Sequence, residues 1–296
     1  MGFGRAQLAE VYRRHVPSRG IRLFGSIAPA TRFDPATEGS LSSLVEREII
    51  PRLVASHPRN GNFMADGGHG AEITEADIDA LAPLSLHVEA DSLLDHVESI
   101  LARGVGIDSV LVDLLAPAAR RLGEFWEQDR CDFVDVTMGL WRLQEVVHEL
   151  AARLPADHRP GPGRRALFAS MPGDQHSFGT VVVDELFCRG GWLTDRISEA
   201  TTPELLERVA GEWFDLVGLT ISCDCHMAPL PSVIGALRSV SRNPRLCVMV
   251  GGRVFVGNPD LAERVGADGT APDAKVAVRV AGELVGAVAR DSAVYG

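Results

Sequence analysis

The sequence lacks any run of about 20 uninterrupted apolar residues, the length that a membrane-spanning helix needs. Its first residues, Met-Gly-Phe-Gly-Arg, also lack the apolar segment of a secretory signal peptide. Both absences predict a cytoplasmic protein that does not insert into membranes.

Paired cysteines and a clustered basic surface are missing as well. The five cysteines, at positions 131, 188, 223, 225 and 247, include no CxxC pair, so we expect reduced thiols rather than disulfides. The formal net charge is -11, and no helix-turn-helix or zinc-finger spacing is present. Because binding to DNA needs a clustered basic surface, direct contact with nucleic acid is not expected.

The chain has 296 residues, which is more than one ordinary domain needs and suits two domains of roughly 100 to 200 residues each. Apolar residues make up 46% of it and charged residues 23%, a composition that can bury a core. Residues 1–40 are rich in Gly, Pro, Ser and Arg without a regular apolar spacing, which predicts a flexible segment.

Residues 41–153 have the apolar spacing of amphipathic helices, which predicts an all-α bundle. The expected helices begin near Ser40, Asp91, Asp108 and Asp132. A loop is expected at residues 61–70, and Pro117 should bend the third helix.

A proline- and glycine-rich stretch, residues 154–164, predicts a linker. Beyond it, residues 165–296 alternate short apolar runs with amphipathic helices, which is typical of βαβ units. Five strands are expected, at residues 165–170, 192–197, 216–222, 246–250 and briefly near Gly269. The sequence therefore predicts an α/β, flavodoxin-like, five-stranded parallel sheet preceded by an all-α helical bundle, with a ligand crevice at the carboxyl ends of the strands.

The loop after the first expected strand carries the clearest chemistry. It reads Pro172-Gly173-Asp174-Gln175-His176-Ser177-Phe178-Gly179. A histidine at the mouth of a parallel sheet can point its ring into the crevice while Asp174 accepts the other ring N–H, which suits a metal ligand. The same spacing occurs in ordinary exposed loops, so by itself it leaves both interpretations of His176 open.

Three further motifs follow in the order found in a known family. The third expected strand ends Gly218-Leu219-Thr220-Ile221-Ser222, the fourth ends Val250-Gly251-Gly252, and Gly269-Thr270 comes later. Together with Asp-x-His-x-x-Gly, they resemble the cobalamin-binding domain of methionine synthase and its relatives. That family has a Ser-x-Leu element and a Gly-Gly pair at the corresponding places.

The resemblance implies a base-off cobalamin, in which His176 replaces the benzimidazole tail of the cofactor as an axial ligand of the cobalt. Asp174 would orient the imidazole, and Thr220 would complete the relay because it stands at the family's serine. Ser222 stands at the family's leucine and makes the pocket wall more polar. The residues implied in cofactor binding are Gly173, Asp174, Gln175, His176, Ser177, Phe178, Gly179, Thr220, Ser222, Gly251, Gly252, Thr270 and Trp126.

The two glycines and the bundle have separate implied roles. Gly251 and Gly252 would leave room for the displaced tail, since a glycine lets another group approach the backbone. The bundle resembles the cap over the upper face of the corrin, which implies that Trp126 lies near the upper face of the cobalt. From the residues alone, a bundle-core tryptophan is the alternative. Light-sensing relatives of the CarH type have a histidine directly after this tryptophan, where this chain has Glu127, so their ligand switch does not transfer.

A second cluster of possible ligands follows the third expected strand. It reads Cys223-Asp224-Cys225-His226 and lies beside the expected crevice. Such a cluster could bind a metal or respond to redox state. Because no second pair of soft ligands has zinc spacing, simple loop thiols are favoured. His226 stays open as an upper ligand of the cobalt.

The whole layout, with the segment at residues 44–53 ahead of the cap, resembles the AerR/PpaA regulators of photosynthetic gene expression. This resemblance implies a light- or cobalamin-responsive antirepressor that acts on a DNA-binding repressor of the PpsR/CrtJ type. The acidic chain without a DNA-binding module fits such a role, and no enzymatic activity is expected.

Two other classes of function remain open at this stage. A corrinoid methyl carrier of a methyltransferase system uses the same fold and passes a methyl group between partner proteins. A haem-binding sensor on a similar fold is the second, because an imidazole such as that of His176 ligates iron as readily as cobalt.

Overall fold

The computed structural model describes residues 71–154 and 163–295. The expected flexible segment 1–40, the first expected helix and the loop at 61–70 lie outside the described residues, as does most of the expected linker. Within the described ranges, no helix is long and apolar enough to cross a membrane.

The first part of the described chain is a helical bundle. Its helices are α1 (Glu75–His87), α2 (Ala90–Leu101), α3 (Ile107–Ser109), α4 (Ala116–Glu127) and α5 (Phe133–Arg153). Helix α5 begins where expected, because Asp132 and Asp135 form a capping box in which each carboxylate accepts the other residue's backbone N–H.

Helix α1 was absent from the expected set. The signal that identifies it is another capping box, in which the Thr74 hydroxyl accepts the N–H of Asp77 and the Asp77 carboxylate accepts the N–H of Thr74. Pro83 lies inside this helix and obscures it in the sequence, because proline normally interrupts a helical pattern. The buried face of α1 packs against the rest of the bundle.

A π-helical segment, Val110–Leu115, lies where the sequence predicts only a bend. The N–H of Ala116 donates to the carbonyl of Leu111, five residues back, instead of the usual four. Pro117 follows directly, and a proline ring crowds the carbonyl four residues before it, here that of Asp113. The wider π-helical turn therefore leaves space for the ring of Pro117.

The second part is a parallel sheet flanked by helices. Its strands are β1 (Arg165–Ser170), β2 (Leu193–Ile197), β3 (Leu216–Thr220) and β4 (Cys247–Gly251). The helices between and after them are α6 (Phe178–Arg189), α7 (Thr202–Gly211), α8 (Leu230–Val240), α9 (Asp260–Arg264) and α10 (Ala274–Tyr295), with a 3₁₀ turn at Asp224–His226. The predicted α/β class with a parallel sheet is confirmed.

The strand order is β2-β1-β3-β4, and every pair is parallel. Ser170 at the end of β1 lies opposite Thr220 at the end of β3, and Thr220 lies opposite Gly251 of β4. Strand β2 lies on one side of β1, and β3 lies on the other side, so the strand order reverses between β1 and β3. A crevice at the carboxyl ends of these two strands is where open α/β sheets bind their ligands.

The prediction of a fifth strand is wrong, because the sheet has four strands among the described residues. Gly269 forms a single isolated bridge with Met249 of β4. The backbone N–H of Val248 donates to the carboxylate of Asp268 at 2.6 Å, so a side chain takes the bond that a fifth strand would make. Pro272 has no N–H to continue a ladder.

Side chains of the sheet alternate between two cores, as the period of a strand requires. Leu167, Val217 and Val248 pack on one face, together with residues of α7 and α8. Phe168 and Met249 pack on the other face, together with residues of α6 and α10.

Helix α6 joins the sheet to the bundle. Four of its residues lie in the bundle's own core, namely Phe178, Val181, Val182 and Leu186. A polar link adds to this packing, because Lys275 of α10, the single lysine of the chain, reaches Asp113 at 2.6 Å and Ser109 at 3.0 Å. Helix α6 therefore packs against both the bundle and the sheet.

Candidate cofactor site at the carboxyl edge of the sheet

The loop after β1 begins with a tight turn whose shape follows from its sequence. The N–H of Asp174 donates to the carbonyl of Met171 at 2.8 Å, and Gly173 has a φ of 92°. Proline followed by a glycine at positive φ is the arrangement of a type II turn. Pro172 and Gly173 therefore direct Asp174 back into the crevice between β1 and β3.

The carboxylate of Asp174 is buried, with 4% of the residue exposed, and its two oxygens bind different groups. Oδ1 accepts the backbone N–H of His176 at 3.0 Å and lies 2.8 Å from the Nδ1 atom of the same residue. Oδ2 accepts the backbone N–H of Ser222 at 2.8 Å and its hydroxyl at 2.5 Å. One carboxylate thus ties the loop after β1 to the end of β3.

These hydrogen bonds keep Asp174 ionised. Burial raises the pKa of its carboxyl, but the bonds from Ser222 and His176 lower it by more, and the net pKa is below the ordinary value. Since an ionised carboxylate can only accept, the Nδ1 atom of His176 must carry the proton.

In the neutral imidazole, this assignment leaves the Nε2 atom of His176 with a free lone pair. The side chain of His176 is 76% exposed, although its ring is held at Nδ1 by Asp174 and lies 2.9 Å from the Ser222 hydroxyl. A neutral imidazole oriented by a carboxylate at one nitrogen is the usual state of a metal-bound histidine. The geometry therefore suits a metal centre that approaches the Nε2 atom of His176 from outside the protein.

The structure gives the relay position to Ser222 instead of Thr220. Asp174 lies four residues beyond the end of β1, so its carboxylate reaches past the last register pair, Ser170 and Thr220. The Thr220 hydroxyl is occupied elsewhere, at 2.9 Å from that of Thr180. Ser222, which the resemblance placed in the pocket wall, thus also binds the Asp174 carboxylate.

Three hydroxyls, of which Ser170 and Thr180 have no signal in the sequence, form a second support for the loop. Those of Ser170, Thr180 and Thr220 lie within 2.9–3.4 Å of one another, and Ser170 donates to the carbonyl of His176 at 2.9 Å. Ser170 and Thr180 are buried. Because the ring and the carbonyl of His176 are bound by separate groups, both its backbone and its side chain are positioned.

The two glycines after β4 differ in what they do. A side chain at Gly251 would meet nothing within 4 Å, so open space borders this residue. Gly252 has a φ of 104°, and a Cβ there would lie 2.2 Å from the carbonyl oxygen of Ile221. The close approach of two strand ends therefore accounts for a glycine at position 252, and its role in tail binding remains a prediction.

Thr270 offers a hydroxyl without a partner. It follows Gly269, which bridges β4 near its carboxyl end. Its Oγ1 atom is buried and has no hydrogen-bond partner among the described residues. An unsatisfied buried hydroxyl costs about 1–3 kcal/mol, so a polar partner for the Thr270 hydroxyl would stabilise this site.

The remaining loop residues divide between surface and core. Gln175 and Gly179 are exposed, and Ser177 is the residue before α6 but makes no side-chain cap. Phe178 is buried in the bundle core, so packing accounts for it. Cofactor contact by these four residues remains a prediction.

Trp126 lies on the surface of the bundle, which makes the bundle-core alternative wrong. It is 52% exposed and packs edge-on against Phe133, with ring centroids 6.5 Å apart. Val134 and Trp141 on α5 are exposed as well. A role of Trp126 beside the corrin stays a prediction that this exposure permits.

The described residues contain no group of three or more His, Cys, Asp or Glu side chains that could hold a metal ion by themselves. A metal at His176 would therefore take its other ligands from outside the described residues, as the cobalt of a corrin does. The oriented imidazole, the open space at Gly251 and the unpaired Thr270 hydroxyl all fit such a group.

Comparison with known families agrees with this geometry. Residues 164–279 match the B12 binding domain family. This segment is a B12-binding domain. The matched range runs from just before β1 into α10 and includes every expected site residue except Trp126.

A relative and a solved structure resemble more of the chain. An uncharacterized 20.5 kDa protein from the bchF-crtJ intergenic region of Rhodobacter capsulatus is 27% identical over 168 residues, which are 56% of this chain and 87% of the relative. Together with the B12-binding domain, this match is consistent with an AerR/PpaA-type B12-binding regulator.

The monomethylamine corrinoid protein of Methanosarcina barkeri superposes with a TM-score of 0.59 at 19% identity, over 72% of this chain and 100% of that protein. At this identity the likeness shows the fold alone, a helical bundle followed by an α/β domain with a parallel sheet. None of these findings supports the haem alternative.

Proposed function

We propose that this chain is a regulatory B12-binding protein in which His176 ligates the cobalt of a base-off cobalamin. The observation that carries the proposal is the clamp on the imidazole, in which Asp174 holds Nδ1 and leaves Nε2 free on the exposed side. Bound cobalamin would supply a cobalt centre whose ligation would respond to light or to cofactor supply. The residues of this chain hold and orient that centre and do not catalyse a reaction.

The regulatory half of the proposal concerns a partner protein. We propose that the chain acts as an antirepressor on a DNA-binding repressor of the PpsR/CrtJ type. The relative from the bchF-crtJ intergenic region and the acidic net charge of -11 support this role. An acidic protein is poorly suited to bind DNA and better suited to bind a protein that does.

The fold offers a path by which a change at the cobalt ligand could reach the bundle. Helix α6 starts two residues after His176 and places Phe178 and Val181 in the bundle core. At its other end Arg189 bonds to Asp108, next to the π-helical segment. Because packed cores have few alternative arrangements, a shift of this helix would move the bundle surface that carries Trp126.

The decisive experiment is a pull-down of the repressor with the purified full chain. Cobalamin-loaded and cofactor-free protein are compared in light and in darkness, with absorbance spectra recorded to identify corrin bands. Retention of the repressor that depends on the cofactor state supports the proposal. Equal retention in all four samples, or none in any of them, contradicts the regulatory role.

A corrinoid methyl carrier is the second candidate. The fold similarity to the monomethylamine corrinoid protein favours it. The cap and the clamp on His176 are equally compatible with it. Transfer of a methyl group from a small donor through the loaded protein, at rates that sustain turnover, would support the carrier over the regulator.

A further inference from the structure

A short turn directly after Ser222 brings two cysteines together. The Sγ atom of Cys223 accepts the backbone N–H of Cys225 at 3.2 Å, at the start of the 3₁₀ turn Asp224–His226. Cys225 is exposed and Cys223 is half-buried. At least one of the two thiols is therefore open to reagents in solution.

The spacing of the two cysteines allows a bond between them. Two residues separated by one other can lie at most about 7 Å apart in a fully extended chain. Disulfides join Cα atoms about 4.4–6.8 Å apart, and the turn shortens the distance from its extended limit. The backbone bond from Cys225 to the Cys223 sulfur holds the two residues in this turn, and a hydrogen bond with Cys223 raises the pKa of Cys225.

This turn packs against the clamp on His176. Ser222, whose N–H and hydroxyl both bind Asp174, is the residue before Cys223. On the other side, the ring of His226 is so near the loop that a Cβ on Gly173 would lie 3.5 Å from its Cε1 atom. A change in the conformation of the turn would therefore move Ser222, which binds Asp174.

The other three cysteines serve as internal comparisons. Cys131 and Cys188 are half-buried, and Cys247 is buried in β4. Burial is the largest cause that raises the pKa of each of these thiols. Cys225 is thus the one exposed thiol among the described residues.

We propose that Cys223 and Cys225 are a redox-active pair that forms a reversible disulfide by exchange with a small disulfide such as oxidised glutathione. The Cys225 thiolate attacks the glutathione disulfide and releases one glutathione thiol. Cys223 then attacks the sulfur of Cys225 and releases the second. The protein gives up two electrons and two protons, and the glutathione disulfide takes them up as two thiols.

The oxidised turn would alter how Ser222 holds Asp174, and through it His176. This consequence for the cofactor rests on the proposed function. Because a hydrogen bond with Cys223 raises the pKa of Cys225, the thiolate fraction and the rate of exchange should rise with pH.

The first test uses the full chain without cofactor in glutathione buffers that range from fully reduced to fully oxidised. After an acid quench and alkylation, mass spectrometry should find that the peptide carrying both cysteines loses two hydrogens and regains them in reduced buffer. Variants C223S and C225S cannot form the bond and should stop at the mixed disulfide. Complete alkylation of both cysteines in fully oxidised buffer would overturn the proposal.

The second test asks whether the turn affects the clamp. Hydrogen exchange at the Ser222 amide, which is donated to Asp174, should change several-fold between reduced and oxidised protein. An unchanged rate would overturn the coupling. Variant H176A separates this inference from the proposed function, because it should lose corrinoid binding and still form the disulfide.

Discussion

The two edges of the parallel sheet are built in opposite ways. At the amino edge, Arg165 opens β1 and pairs with Asp195 at 2.7 Å and Glu212 at 2.9 Å, while its backbone N–H donates to Asp215. The charged groups there bind one another. At the carboxyl edge, the Nε2 atom of His176 and the buried hydroxyl of Thr270 have no partner among the described residues.

The difference shows which edge holds the sheet together and which one is available to a ligand. The ion pairs of Arg165 at the amino edge link β1 to its neighbours. At the carboxyl edge, Asp174 and Ser170 hold His176 in place but leave its Nε2 atom free. Substitutions at the first edge should therefore change stability, and those at the second should change cofactor binding.

The largest effect is expected from His176→Ala, which should abolish retention of cobalamin after gel filtration. The side chain is largely exposed, so the free energy of unfolding should change by less than about 0.5 kcal/mol. His148→Ala, at an exposed histidine of α5, is the matched control and should retain the corrin bands. A His176 variant that still holds the corrinoid would rule out the axial assignment.

The next largest effect is expected from Asp174→Asn. The amide presents a donor where the carboxylate accepts from both His176 and Ser222, so the imidazole loses its orientation. Losing such a partner of a metal ligand typically reduces affinity about 10–100-fold. Titration of the cofactor-free protein with cobalamin, followed by absorbance, measures the change, and an unaltered affinity would contradict the clamp.

Ser222→Ala and Thr220→Val should separate the two hydroxyls after β3. Ser222→Ala removes a bond to Asp174 and should lower the affinity for cobalamin about tenfold, at the lower end of such effects. Thr220→Val breaks the bond to Thr180 and should lower the free energy of unfolding by about 1 kcal/mol with a smaller effect on affinity. A larger loss of affinity from Thr220→Val than from Ser222→Ala would show instead that Thr220 orients the clamp.

At the amino edge, Arg165→Gln should lower the free energy of unfolding by about 1 kcal/mol, because it removes two partly exposed ion pairs. Affinity for cobalamin should not change, since Arg165 lies at the opposite end of β1 from the loop. Urea unfolding and a cobalamin titration of the same sample test both statements. A large loss of affinity would show that the two edges are not independent.

The smallest effect concerns Cys247, which opens β4. Burial, with the charge of Asp268, raises the pKa of its thiol to about 11. An unfolded chain loses this proton near about pH 8.5, so the stabilisation is complete below that pH and is lost as the pH rises toward 11. Cys247→Val should flatten the alkaline fall in the free energy of unfolding, and an identical fall in both proteins would exclude this cause.

Much of the fold and part of the site could be predicted from local patterns. The type II turn follows from Pro172 and Gly173, and the contact of Asp174 with His176 spans only two residues. The capping box at Asp132 also lies within one turn of helix. In each case the interacting groups are near neighbours along the chain, so their spacing nearly determines their geometry.

Other features depended on residues far apart in the chain. The absence of a fifth strand among the described residues depends on Asp268 meeting Val248, and the exposure of Trp126 depends on how α4 and α5 pack. Neither contact has a local signature. The family pattern predicted Thr220 as the relay hydroxyl. Spacing along β3 could not correct this, because it does not show how far the loop after β1 reaches.

The sequence by itself determined that an imidazole with an adjacent carboxylate follows the first strand of a parallel sheet. Only the tertiary structure decided that Ser222 completes the clamp and that the hydroxyls of Ser170, Thr180 and Thr220 support the loop. It also decided that the close approach of the Ile221 carbonyl requires a glycine at position 252. The physical reason is that hydrogen bonds form between atoms within about 3 Å, and for groups some 40 residues apart, strand register and loop length decide which atoms come that close.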